Sequence, residues 1–287
     1  MNEKVIDIIK AVSIIILLTI LNVYLPFFSL FVLIVWPIPV VLLTIKHGVK
    51  QASIAVVISA IISGIFFSPL MGLLSIIGFG FIGFVLGSSI REDLSPLKIL
   101  IFTILAVFIS QLLILLVSTQ FVGYNIDQIL DQSMQVLLQT PQVDKILLTQ
   151  LKSLVKAIIP SILFISSILV GILNYYITMW YLNKRGINKE VYRPVTNWRF
   201  PKWIISLGIL ITLIYTQNTL LLNINIILFF FAFFQGFSVG LYFINKKGNF
   251  LYNMIYIFLV FIIPLFPFLL ILVGLVDMWF NFRKLKK

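Results

Sequence analysis

The sequence predicts an all-α, polytopic integral membrane bundle of about ten crossings. Three observations carry this. The chain is 61% hydrophobic and only 10% charged, where an ordinary soluble domain has roughly 25% charged residues. Long runs such as Val12 to Tyr24 and Ile226 to Phe234 hold no charge, as suits helices in lipid, where a largely uncharged stretch of about 18 residues or more reads as a span. The basic residues gather in alternate gaps between these runs, as they do when they orient a membrane protein. Helices satisfy their own backbone hydrogen bonds in hydrocarbon. A transmembrane barrel would alternate polar and apolar residues, but Leu112 to Val117 and Phe229 to Phe234 are apolar at every position.

Eight spans are placed in order at about residues 8–25, 28–45, 52–67, 70–90, 98–121, 157–182, 203–217 and 224–244. The first follows Lys4 and Lys10 like a signal peptide, but no A-x-A-like site follows, so it reads as an uncleaved helix. The second contains Trp36-Pro37-Ile38-Pro39. Its two prolines remove two backbone donors, giving either a simple kink or a broken helix bordering a site. Gly83 with Gly87, Gly236 with Gly240, and Ala60 with Gly64 are spaced four apart, which lets helices approach closely. Gly78 and Gly80 loosen the fourth span.

With the N-terminus inside, Lys4, Lys10, Lys46, Lys50, Arg91, Lys98 and the basic residues from Lys184 to Lys202 all fall inside, as do Lys246 and Lys247. The tail residues Arg283, Lys284, Lys286 and Lys287 belong inside by the same rule. Only Lys145, Lys152 and Lys156 fall outside. The apolar stretch 250–282 must then cross twice, reversing at Pro264 to Pro267. Each arm has about 14–16 residues, roughly 21–24 Å, short against a core of roughly 30 Å. The expectation is a tight hairpin with both termini cytoplasmic, in a bacterial plasma membrane. One long tilted helix is the alternative.

The chain divides at the basic loop 184–202, between a six-span unit (1–183) and C-terminal membrane helices (203–287). Within the first unit, 123–156 is the one sizeable external segment. Ile126, Ile129, Leu130, Met134, Leu137 and Leu138 recur at helical spacing, and the pattern resumes after Pro141. Two amphipathic helices are expected, as a packed loop or as a lid. The basic loop itself suits anionic headgroups or a cytoplasmic partner. The net charge of +12 belongs to these orienting loops, so the bilayer, and not nucleic acid, is the expected partner.

An enzyme is not expected. His47 is the single histidine and the chain has no cysteine; a metal site or a triad needs companions, and His47 reads as a solvated loop residue. No phosphate-binding glycine loop occurs. No catalytic residue, metal or cofactor is assigned. Polar residues inside spans are the better candidates, because an amide in hydrocarbon needs partners. Gln111 and Asn174, with Trp36, are candidate ligand-binding residues; interhelical glue is the other role open to the amides. Gln235 is a further buried amide. Asp277 is the one acid placed within a span, where an ionisable group is a functional candidate by default; pairing with Arg283 or Lys284 is its structural role. Gln235, Asp277 and Arg283 are therefore assigned as structural or coupling residues.

Several of these places together resemble the YybS-like family of bacterial membrane proteins: Trp36 to Pro39 with Lys46-His47-Gly48, Pro160 to Asn174 before a basic loop, Gln235-Gly236, and Gly274 to Asp277 with Arg283. Residues 1–183 are also similar to the substrate-binding S components of energy-coupling-factor (ECF) vitamin transporters, chiefly over Pro39 to Gly87. That resemblance implies a six-helix unit binding a small, vitamin-class solute beneath external loops, energised by a separate membrane module. The chain departs from it in two ways. S components often dock through Ala-x-x-x-Ala on the first helix, whereas Ala11 here is followed by Ile15, and about four further helices follow residue 203. A non-transport scaffold, recruiting envelope or signalling proteins through 183–202, is the alternative function.

Overall fold

The computed structural model describes residues 2–121, 123, 125–138, 145–214, 218–246, 248 and 250–285. Among these, every regular element is helical: α1 (Glu3–Tyr24), α2 (Ser29–Val35), α3 (Pro37–His47), α4 (Val49–Phe66), α5 (Pro69–Leu74), α6 (Phe81–Arg91), α7 (Pro96–Phe121), α8 (Ile126–Leu138), α9 (Lys145–Lys184), α10 (Lys202–Ile214), α11 (Thr219–Asn245), α12 (Phe250–Ile262) and α13 (Phe266–Phe280). Taking α2–α3 and α5–α6 as one span each, seven of the described helices are long and apolar enough to cross a bilayer. The chain is thus a multi-pass, all-α membrane protein. Its further helices after residue 203 are α10 to α13, of which α11 is the long one. The axis turns by 112° between α12 and α13, where Pro264 and Pro267 interrupt the helical ladder. One continuous tilted helix does not form there.

The chain forms two compact units, one of residues 1–152 and 166–192, the other of 153–165 and 193–287. The basic loop is divided between them at Tyr192 and Arg193.

In the first unit, α1 packs on α3 and α4 around Ile15, Val32, Val40 and Ala55. The broken second span passes α6 at close range: a Cβ on Gly83 would lie 3.1 Å from the Pro37 carbonyl, and one on Gly87 3.1 Å from the Val41 Cα. On α4 and α5, a Cβ on Gly72 would come within 2.6 Å of the Ala60 carbonyl. The fourth span contains a π-helical stretch over Ser75–Gly80. A π-turn leaves carbonyls out of the normal ladder, and Ser110 of α7 donates its hydroxyl to Ile77 O at 2.6 Å and Gly78 O at 3.0 Å. Ser110 is thus what holds the irregular turn, a role that its small side chain within an apolar run does not announce.

The amphipathic helix α8 is tied to α9 by Lys152, whose ammonium is 2.6 Å from Asp131 and 3.9 Å from Asp127. The expected break at Pro141 lies outside the described residues, as do Lys286 and Lys287. From Lys145 the helix runs without interruption into the sixth span, over 40 residues, or about 60 Å, twice the hydrocarbon thickness of roughly 30 Å.

In the second unit, Asn223 of α11 repairs α9 at Pro160. The pair that would ordinarily bond across this turn is Ser161 N–H and Ala157 C=O. Ser161 N donates to Asn223 Oδ1 at 2.9 Å, and Asn223 Nδ2 donates to Ala157 O at 2.7 Å. Asn223→Ala should therefore cost about 1–3 kcal/mol, the desolvation cost of buried groups left unsatisfied, while Asn223→Gln restores little because its amide sits one methylene further out. Thermal unfolding in detergent checks this.

The crossing of α11 and α13 is the tightest in this unit. A Cβ on Gly236 would overlap the Leu270 carbonyl, and one on Gly274 the Ala232 carbonyl. Gly240 faces the Tyr256 hydroxyl of α12.

Candidate functional site

Of the polar groups assigned from sequence, those of the second unit meet in one cluster, whereas those of the first lie in separate settings. In the second unit, Gln235, Asp277 and Arg283 meet. The Asp277 and Arg283 side chains are both fully buried and 2.9 Å apart. Asp277 Oδ2 accepts from Arg283 Nη2 at 2.9 Å, from Arg283 Nε at 3.3 Å, and from Gln235 Nε2 at 2.6 Å. The remaining guanidinium donors reach Thr196 O at 2.5 Å, Ser238 Oγ at 2.6 Å and Trp198 O at 2.7 Å. Arg283 thereby engages all five N–H donors of its planar fork. The second Asp277 oxygen, Oδ1, has no partner among the described residues.

This cluster organises the segment before α10. Gln235 Oε1 accepts from Phe200 N at 3.1 Å, Ser238 donates to Val195 O at 2.7 Å, and Arg199 donates to Met278 O at 3.1 Å. Apart from the 3-10 turn Val195–Asn197, this segment has no ladder of its own, so its remaining carbonyls need outside donors. Arg283 supplies them, and Asp277 offsets the buried positive charge that results. The geometry is a structural lock in which every Arg283 donor is occupied.

In the first unit, the three candidate ligand-binding residues lie in different settings. Trp36 is buried beside Phe79, with ring centroids 4.1 Å apart. Gln111 of α7 accepts from Ser166 of α9 at 3.0 Å, so it links two helices. Asn174 of α9 is fully buried, and neither its Nδ2 nor its Oδ1 has a hydrogen-bond partner among the described residues. One turn further on, Thr178 Oγ1 is also buried and unpartnered. No hydrogen bond or ring contact joins Trp36 to Gln111 or Asn174. Thr178 is readable in retrospect: it stands four residues after Asn174, on the same helical face, and hydroxyls within spans are easily passed over because they can bond back to their own helix.

His47 departs from the solvated reading. Its side chain is only 7% exposed, and Nε2 lies 2.8 Å from Asp7 Oδ2. Lys46 reaches Glu3 and Asp7, each at 2.7 Å. The ends of α1 and α3 are thus joined by a polar cluster of Glu3, Asp7, Lys46 and His47. The contact is not visible in the sequence, because Glu3 and Asp7 stand about 40 positions before Lys46 and His47.

Residues 13–278 match the family described as Predicted membrane protein (DUF2232). The chain belongs to that family. It is 24% identical to the Uncharacterized protein YybS of Bacillus subtilis (strain 168), over 95% of this chain and 94% of that protein. No solved structure matches it. The matched region of this DUF2232 member includes Gln235 and Asp277 of the lock and Asn174 and Thr178 of α9.

Proposed function

We propose that the first unit binds a small polar solute within the membrane, in the manner of an S component, with Asn174 and Thr178 supplying the hydrogen bonds. The observation that supports this is the pair of unpartnered polar side chains on α9. An amide buried with neither atom satisfied costs free energy, and a solute offering both a donor and an acceptor would recover that cost. Among the described residues of this unit no charged residue is buried, and the reading favours a neutral, vitamin- or nucleobase-like solute. In this proposal Trp36 and Gln111 also line the solute's pocket, and Gln111 fixes α7 against α9. The α8 helix, clasped by Lys152, covers the outer end. Energy would come from a separate module, since the sequence has no nucleotide-binding loop.

A thermal-shift screen of the purified protein against vitamins, nucleobases and metal ions tests it. At least one neutral compound should raise the unfolding temperature, and Asn174→Ala and Thr178→Ala should each remove that rise. A screen without a stabilising compound sinks the proposal.

The proposed orientation has both termini in the cytoplasm of a bacterial plasma membrane. Because the chain contains no cysteine, a single Lys284→Cys variant in intact cells should resist an impermeant maleimide and react after permeabilisation. Labelling of intact cells reverses the orientation.

The second reading is a scaffold, and the ordered basic loop favours it. Within the first unit Lys189 pairs with Asp93, and Asn183 bonds both the N–H and the carbonyl of Lys189. A loop fixed in this way is preorganised for a partner. Under this reading, reversing the charges of Arg185 and Lys189 should abolish recovery of a cross-linked protein.

A further inference from the structure

We propose that the junction of α10 and α13 is a binding site for the headgroup of an anionic phospholipid, formed by Arg199, Lys202 and Trp203 against Trp279. Lys202 Nζ lies 4.8 Å from the Trp279 ring centroid and 5.4 Å from that of Trp203. The two indoles pack edge to face at 4.7 Å, and Trp279 Nε1 donates to Ser206 Oγ at 3.0 Å, which fixes its ring. Trp203 is 57% exposed, and its indole N–H has no partner among the described residues. Arg199 bonds the carbonyl of Met278, the residue before Trp279. One guanidinium, one ammonium and one indole N–H therefore converge on adjacent residues at the end of α13.

Their charges are uncompensated within the unit. Its sequence contains a single acid, Asp277, which is buried against Arg283 and Gln235. Lys202 forms no ion pair among the described residues, and Arg199 donates only to a neutral carbonyl. A diester phosphate supplies the missing negative charge and accepts from all three donors. Tryptophan belongs at the junction of headgroup and hydrocarbon, and the helices on either side present Leu207, Leu210 and Leu272 to the surroundings, where acyl chains would lie. That pairing of a phosphate site with an apolar flank selects a lipid over a water-soluble phosphate. The Arg283 lock acts as the positioning element, because it holds Trp198 and so sets the path of the chain through Arg199 to α10.

The test is native mass spectrometry of the full chain in detergent, titrated with phosphatidylglycerol or phosphatidylcholine of matched acyl chains. Phosphatidylglycerol should bind the more tightly. Removing each charge, as Arg199→Gln or Lys202→Gln, should weaken it about fivefold, and the double variant about 25-fold, following the ordinary contribution of one basic residue near an anionic surface. Lys202→Arg should keep the preference. Trp203→Phe, which keeps a ring but loses the N–H, should lose part of it. Circular dichroism and unfolding temperature establish that each variant is folded. Equal binding of the two lipids, or an undiminished preference in the folded double variant, overturns the proposal. Displacement of the lipid by inorganic phosphate also overturns it, since the site would then serve a soluble anion.

Discussion

Replacing Arg283 with methionine should destabilise the second unit by about 3–5 kcal/mol, the cost of removing one member of a buried ion pair. The loss comes from both sides of the lock. Asp277 would keep a buried carboxylate with Gln235 as its remaining donor, and the carbonyls of Thr196 and Trp198 would lose theirs. Asp277→Leu should be similarly costly, because a guanidinium cannot discharge by losing its proton. The double variant should cost clearly less than the sum of the two, since neither charge is then left alone. A double-mutant cycle by detergent-based unfolding checks the coupling, and proteolysis should cut first between Val195 and Pro201. Strictly additive costs would show that the two side chains do not depend on each other.

The second large effect is expected at the α11–α13 crossing. Gly236→Val or Gly274→Val should cost at least about 4 kcal/mol, in the range reserved for overpacking that cannot relax. The obstacle at each position is a backbone carbonyl, Leu270 O for Gly236 and Ala232 O for Gly274. A flexible side chain could turn aside; a carbonyl fixed in a helix cannot. Gly123→Val serves as the contrast, because a Cβ there meets nothing, and its cost should be confined to the strain of φ +65°. If Gly236→Ala unfolds at the same temperature as the unsubstituted protein, the close crossing is not what holds these helices.

How much of this could be read from the chain follows from what each residue signals on its own. Membrane class came from composition, and the turn in 250–282 from two prolines together with the charges at either end. Gly83, Gly87 and Gly236 announced close crossings because little else explains such spacing. Asp277 stood out because lipid forbids an isolated charge, with Arg283 and Lys284 as the partners within reach. Asn223 gave no such signal: an amide near the end of a span can be satisfied by water, and its splice into α9 depends on a proline 63 residues earlier in the chain. The π-turn at Ser75–Gly80 was hidden for a related reason, since Ser110 becomes its support only once α7 lies alongside. His47 was misread because its partner, Asp7, is 40 residues away.

The lock also imposes an order on synthesis. The acceptors at Thr196 and Trp198 are made 87 and 85 residues before the donor that satisfies them. At the usual pace of about 5–20 residues per second, a nascent chain waits on the order of ten seconds with those carbonyls unclaimed. During that interval α10 and α11 are themselves made, without the residue that fixes the segment in front of them. Quality control would meet the half-made unit in this condition, and Arg283 is the residue whose arrival ends it.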